Sequence, residues 1–451
     1  MAHLVIPDSR SIVRVVYFLA AVAVAAVASV AAVSSPMLAV GILLVMVFTF
    51  VSFWRPQFGI ALWLVATVFI PSWTVLASVG TQIQPYYLAV PVVIGLTLRR
   101  IHGRISHGRV FSLSFVDLSV VTGVVLVMFY ESIFQQASFL STNVLFTLFL
   151  GYVIGRLSEP VQHNVFAVLM IIVAIWGILE FGLSWHAFVD WQATGGGIGP
   201  ALQERGGFTR SEATLGHAIA YGACLAAAIP FVRSFKRAAV LQVILCAGVL
   251  VSFSRGPILA VVFTFALMVF VERSSKRRLT SIVFLIAGLT LVYFVFTFLY
   301  NGSGQSEVQA SSSYRDNAVA SSIQFTNVIG PADGLQLNAD GRYETNGVDI
   351  IDSAPLRLAL DFGWLVTVLL LMPAVAAIVA VLRRRAGPAT VALAAQVPVL
   401  LVTSFITQWQ VIFFFIAGLA INEMVASRRG KSVGRDIDVN TVDTALIRVS
   451  K

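Results

Sequence analysis

The run HNVFAVLMIIVAIWGILEFG, His163–Gly182, carries one formally charged residue, Glu180, in twenty positions. About 20 apolar residues at helical rise cross a hydrocarbon core, so this run reads as a transmembrane helix. Its apolar residues do not alternate, which sets aside the strands of an outer-membrane barrel. Working outward, similar spans lie near 13–33, 37–53, 59–75, 85–98, 115–131, 142–156, 215–232, 238–252, 257–271, 279–299, 356–382, 388–404 and 409–426. Those near 85–98, 142–156 and 238–252 are short for a full crossing. The expected fold is all-α, a polytopic transmembrane bundle of about 12–14 helices.

Composition agrees with that reading. The 451-residue chain is 58% hydrophobic and 11% charged, with mean hydropathy +0.90. A soluble domain of this length has no use for so much apolar surface. The net charge of +9 does not call for nucleic acid here, because basic residues collect in cytoplasmic loops of membrane proteins. The clusters RRIHGRISHGR (Arg99–Arg109), RSFKR (Arg233–Arg237), ERSSKRR (Glu272–Arg278), RRR (Arg383–Arg385) and SRRGK near the C-terminus fall on one side. That side holds 24 of the 30 Lys and Arg, so both termini are assigned to the cytoplasm. Arg10 and Arg14 before an apolar run faintly resemble a signal peptide, but the run is long for one and is taken as a retained first helix. Cys224 and Cys246 sit in apolar runs and indicate neither a disulfide framework nor a zinc site.

Two connections on the opposite side are long, near 183–215 and 300–355. Loops longer than about 15 residues usually carry function or are disordered. The first contains the Gly195–Gly197 triplet, read as flexible loop. The second includes Tyr314, Phe325, Val328, Ile329, Tyr343, Ile350 and Ile351, enough apolar residues for a small folded cap. The chain divides into N-terminal transmembrane helices over 1–182, a region carrying the long loops over 183–426, and a polar tail over 427–451.

Only Arg205, Arg210, Arg255, Arg315, Arg342 and Arg357 face outward on this topology, and none of the outward cations is lysine. A guanidinium presents a planar fork of donors suited to phosphate. The plain alternative for each is a cation snorkelling to lipid headgroups. Arg255 is the sharpest case, in VSFSRGPILA between two apolar runs, where a charge costs a few kcal/mol unless paired or hydrated. Ser254 and Gly256 would let backbone donors approach the same anion. Acids also gather outside, among them Glu131, Glu180, Asp190, Glu204, Glu212, Asp316, Asp349, Asp352 and Asp361. Arginines and carboxylates in a partly apolar cavity suit a phosphate leaving group and a general base, although pairing with the arginines explains most acids as well. The six histidines lack metal-ligand spacing; His217, at a helix start beside the first long loop, reads as structural or as a substrate contact.

SFSRGPILA resembles the serine-arginine-glycine signature of the O-antigen ligase and O-antigen polymerase superfamily. RGGFTRSEATLGHAIAYG (Arg205–Gly222), SSSYRDNAV around Arg315 and DSAPLRLALDFGWLV (Asp352–Val366) resemble further segments of that family, in the same order. The resemblance covers residues 180–426. It implies a GT-C-like, metal-independent inverting glycosyltransferase without cofactor, acting on a polyprenyl-diphosphate-linked oligosaccharide donor and a glycan acceptor at the outer face of the bacterial cytoplasmic membrane. Membrane lipids, a flippase and a chain-length regulator are the further partners it implies. It places the diphosphate on Arg205, Arg210, Arg255 and Arg315, with acceptor contacts from Asp349, Glu212, His217 and Ser353. Asp352 stands where ligases of the family commonly have histidine, which favours a polymerase-type member with Asp352 as base over a ligase. A lipid-linked oligosaccharide flippase or a membrane scaffold or sensor are the competing functions.

Overall fold

The computed structural model describes residues 36–72, 74, 77–79, 81–107, 113–134, 148–186, 203–205, 207–301, 322–337, 343–345 and 351–447. The span expected near 13–33, the glycine triplet, Arg315, Arg342 and Asp349 lie outside them.

The described chain is mostly helical. It begins with α1 (Pro36–Trp54) and α2 (Pro56–Phe69), then a hairpin of β1 (Ala77–Val79) and β2 (Thr81–Ile83). There follow α3 (Ala89–His107), α4 (Phe115–Phe134), α5 (Leu150–Leu157) and α6 (Val161–Leu183). A second hairpin, β3 (Glu204–Arg205) and β4 (Phe208–Thr209), leads into α7 (Ala218–Ala228), α8 (Ala238–Val251), α9 (Arg255–Val271) and α10 (Ser275–Asn301). The pair β5 (Leu335–Leu337) and β6 (Tyr343–Thr345) precedes α11 (Ala354–Phe362) and α12 (Trp364–Leu382). The chain ends in α13 (Pro388–Ala395), α14 (Val397–Val402) and α15 (Thr407–Ile447).

Four of these helices hold segments long and apolar enough to cross a membrane by length and composition: Val161–Leu183, Ser275–Phe294, Trp364–Leu382 and Thr407–Ser427. Shorter apolar helices accompany them, α7, α8 and α9 among them. Burial separates centre from rim. Every residue of α7 except Ile219 is buried, as is the run Val411–Ile421 of α15, so both are apolar on all sides and sit in the middle. Rim helices expose large apolar side chains instead, such as Phe50, Phe58, Val125, Ile286 and Phe294. Exposed apolar surface on this scale is what a lipid-facing rim requires.

The central contact is α5 against α15. Gly151 and Gly155, one helical turn apart, meet the backbone of Val411 and Phe415, while Gly418 faces Tyr152 and Arg156. A Cβ on Gly155 would overlap the Phe415 carbonyl oxygen. Small residues at this spacing let two helix backbones approach, which matters most where lipid competes with protein packing.

Two polar ends flank the apolar middle. At one, the Arg156 guanidinium binds Asp117 through Nε at 2.6 Å and Nη2 at 2.9 Å, and Tyr152 Oη donates to the same carboxylate at 2.6 Å. Ser114 and Asp117 form a reciprocal cap that starts α4. Arg156 also reaches Asn422, and Glu423 accepts the Ala389 and Thr390 amides at the start of α13. Arg233 pairs with Glu272 here, and Arg384 lies over the Phe270 ring. The other end carries Arg205, Arg210, Arg255 and Arg357.

Several boundaries differ from expectation. The span read as 356–382 is two helices, separated at Gly363 with φ +85°. A Cβ at Gly363 would lie 2.8 Å from the Gly330 carbonyl oxygen, so the break is imposed by a distant contact. The span read as 388–404 breaks between α13 and α14, where Gln396 is followed by Val397 and Pro398. The tail read from 427 onward continues α15 to Ile447.

The expected cap is partly realised. Ala332, Ile351, Leu356 and Leu360 form a satellite core with Phe325 and Trp364 against it. Val328 and Ile329 do not join it; they are 71% and 62% exposed.

Substituting Gly155→Val is expected to collapse the yield of folded protein, since backbone atoms cannot give way and overpacking costs about 1–3 kcal/mol or more. Gly182→Val, where a Cβ meets nothing within 4 Å, is the matched control. Size-exclusion profiles of detergent-solubilised protein after brief heating check the difference.

Candidate functional site

The segment from Gln203 to His217 is stitched to the ends of four helices. The β3–β4 hairpin turns at Gly207, which takes φ +80°. Beyond it, Ser211 Oγ donates to the Gly177 carbonyl of α6 at 2.7 Å, and the Ser211 amide donates to Val251 of α8. Glu180, near the end of α6, accepts the amides of Ala213 at 2.8 Å and Glu212 at 3.2 Å. Gln408, at the start of α15, donates to the Thr214 and Ile70 carbonyls. Several of this segment's polar backbone groups thus have a protein partner close to the apolar bundle.

Two arginines converge on the turn joining α8 to α9. Arg205 Nη1 donates to the Phe253 carbonyl at 3.1 Å. Arg210 is 6% exposed and donates through Nε to Ser252 O at 2.9 Å, through Nη1 to Gln203 Oε1 at 2.9 Å and through Nη2 to Ser254 Oγ at 2.5 Å. Phe253 between these serines has φ +46°, a strained conformation for a bulky residue. Its ring stacks on Phe208 at 5.4 Å and 2°, with Phe181 beside both, so aromatic packing helps hold the turn.

Arg255 follows directly, as the first residue of α9 and not, as expected, part of the turn. Ser254 is the N-cap, yet its side chain makes no capping bond, because its hydroxyl donates to Ser252 O and accepts from Arg210. A cation at a helix N-terminus opposes the macrodipole. The amide end of α9, Arg255 and the half-buried Arg205 together make this corner attractive to an anion. Gly256 serves close packing: a Cβ there would sit 3.0 Å from Val402 of α14.

Asp352 and Ser353 lie just before α11, Asp352 half-buried and Ser353 buried. Short α14 packs against both α9 and α11, so Arg255, first in α9, and Asp352, just before α11, lie at the starts of two helices that share one neighbour. Arg357 pairs with Asp361 at 3.0 Å within α11, a structural use of an outward cation.

Glu212 and His217 complete the corner. Glu212 is 7% exposed, and its Oε1 has no hydrogen-bond partner among the described residues. Burial pushes its carboxyl up to about 7, against the pull of Arg210 and with a further rise from Glu180. His217 caps α7, its Nδ1 accepting the Ile219 amide at 3.1 Å, and burial with Arg210 nearby brings its pKa down to about 4. The ring is therefore neutral near pH 7, with its proton on Nε2.

Sequence reasoning singled out Arg205, Arg210 and Arg255, and the turn brings them together. It missed Gln203 and Glu180 as anchors, whose partners are backbone groups or distant side chains. Comparison with protein-family models, with curated proteins and with solved structures finds no match.

The two titrating groups oppose one another. Glu212 keeps a proton that the unfolded chain loses, so its contribution falls as pH rises from about 4.5 to about 7. His217 refuses a proton that the unfolded chain takes, so its contribution grows from about pH 4 to 6.5. Glu212→Gln should expose a stability that climbs across pH 4–6.5, and His217→Asn one that declines across pH 4.5–7, each by up to about 1.4 kcal/mol per pH unit. Thermal midpoints in nanodiscs against pH check both signs.

Proposed function

We propose that the chain is a membrane glycosyltransferase using a polyprenyl-diphosphate-linked glycan donor, in the manner of O-antigen polymerases. The observation that carries the reading is the meeting of Arg205 and Arg210 on the 252–254 turn, with Arg255 on the uncapped start of α9. The order of motifs in the sequence supports it. So does the gathering of cations, acids and folded loops at one end of the bundle, since a flippase would be expected to carry polar groups near mid-membrane.

On this reading the arginine end faces the outside of the cytoplasmic membrane, and the end bearing Arg156, Arg233 and Arg383–Arg385 faces the cytoplasm. Arg255 and Arg205, with Arg315 from the long loop, bind the diphosphate. Arg210, already engaged by protein, positions the turn. An acceptor hydroxyl attacks the anomeric carbon; the carbon–oxygen bond to phosphate breaks as the new glycosidic bond forms, with inversion. The hydroxyl proton passes to Asp352, and the lipid diphosphate departs with its charge stabilised by the guanidinium groups. Glu212 and Ser353 stand on the acceptor side, and polymerisation of repeat units is favoured over ligation by Asp352 in place of histidine.

Arg255→Lys should keep the charge and lose the two-point grip, lowering polymer formation by about 10²-fold with normal membrane abundance. Asp352→Asn should do the same. Polymer ladders from cells lacking the native gene, complemented with each variant, are the readout; wild-type ladders from Arg255→Lys would end the proposal.

A further inference from the structure

The tip of the 322–337 segment carries its apolar side chains outward. Ile323, Val328 and Ile329 are 51%, 71% and 62% exposed, while the satellite core behind them is filled by Ala332, Leu356 and Leu360. The tip is not loose. Asn327 O accepts the Trp364 amide at 3.0 Å, Val328 O accepts the Leu365 amide at 2.9 Å, and Leu360 O accepts the Ala332 amide at 2.7 Å. Asn327 Nδ2 closes the turn on Pro331 O at 2.8 Å, and Gly330 packs on Gly363.

These bonds seat Val328 on the first turn of α12. The exposed apolar residues of that helix, Leu365, Val368, Val375, Val379 and Leu382, recur at helical spacing along one stripe. This is one of the four helices able to cross a membrane, so the stripe is a lipid-facing surface on the membrane reading. Val328 continues it beyond the helix end. Trp364 sits at the same level, with Nε1 bonded to Thr326 Oγ1 at 3.0 Å, and tryptophan favours the headgroup boundary.

We propose that Val328 and Ile329 are an apolar wedge inserted into the headgroup–acyl boundary of the adjoining phospholipid leaflet, fixing the cap to the membrane. The occupant is bulk lipid, because the patch adjoins the exposed apolar stripe of α12. This inference needs the chain to be membrane-embedded and does not depend on glycosyl transfer, since its test uses no glycan.

Nitroxide labels at Val328→Cys, Ile329→Cys, Val368→Cys and Gln336→Cys, in otherwise full-length protein in phosphatidylcholine nanodiscs, read collision with oxygen and with a water-soluble nickel chelate. Native Cys224 is buried; Cys246 is only half-buried and is replaced by serine in every labelled variant. Labels at 328 and 329 should favour oxygen as the one at 368 does, at shallower depth, while the exposed 336 position favours nickel. Nickel access at 328 and 329 equal to that at 336 would overturn the wedge. So would exclusion of both reagents, which means protein covers the patch. As a second measure, Ile329→Asp should leave melting in detergent unchanged and speed proteolysis of the cap in nanodiscs severalfold; no change in nanodiscs counts against insertion.

Discussion

The corner that gathers the arginines depends on one guanidinium spent entirely on protein. Arg210 joins Gln203, the Ser252 carbonyl and the Ser254 hydroxyl across more than forty residues of chain. Those bonds hold the left-handed Phe253 in place and divert Ser254 from capping α9. Without them the Phe208 stacking and the Arg205 bond still hold the strained turn, but Arg255 loses part of the fixed backbone from which it projects. A buried charge that keeps its donors satisfied is tolerable; the same charge with partners removed is not.

The opposite end uses a comparable device for a different purpose. Arg156, Asp117, Tyr152 and Asn422 tie α4, α5 and α15 together by directional bonds. Beside this network, the glycine contact of α5 with α15 sets the distance at which the two helices meet. The bundle is thus pinned by directional bonds at both ends and, beside the Arg156 end, by close backbone approach. That division suits a solvent in which hydrophobic burial between helices gains little.

What could be read from sequence follows from the range of each interaction. Apolar runs such as His163–Gly182 announce their helix because every residue contributes to the same signal. The break at Gly363 does not, because its cause is Gly330, far away along the chain. Arg205, Arg210 and Arg255 stand out in sequence as isolated cations beside apolar runs, and they meet at one turn of the fold. Arg210's role was not legible, since carbonyl partners leave no trace in composition. The G-x-x-x-G of Gly151 and Gly155 was readable in principle and lay hidden inside an apolar run. Glu212 and His217 were visible as polar residues, whereas their shifted protonation depends on burial.

On the proposed membrane reading, the length of α8 carries a consequence for the surrounding lipid. Its 14 residues extend about 21 Å, against roughly 30 Å of hydrocarbon in an average bilayer. The turn that follows, with its strained phenylalanine and its arginines, is therefore sunk below the headgroup plane unless the bilayer dimples to meet it. Membranes of longer acyl chains deepen that recess and shorter ones flatten it. On that reading bilayer thickness sets how far the arginines are recessed, without contact to any one residue.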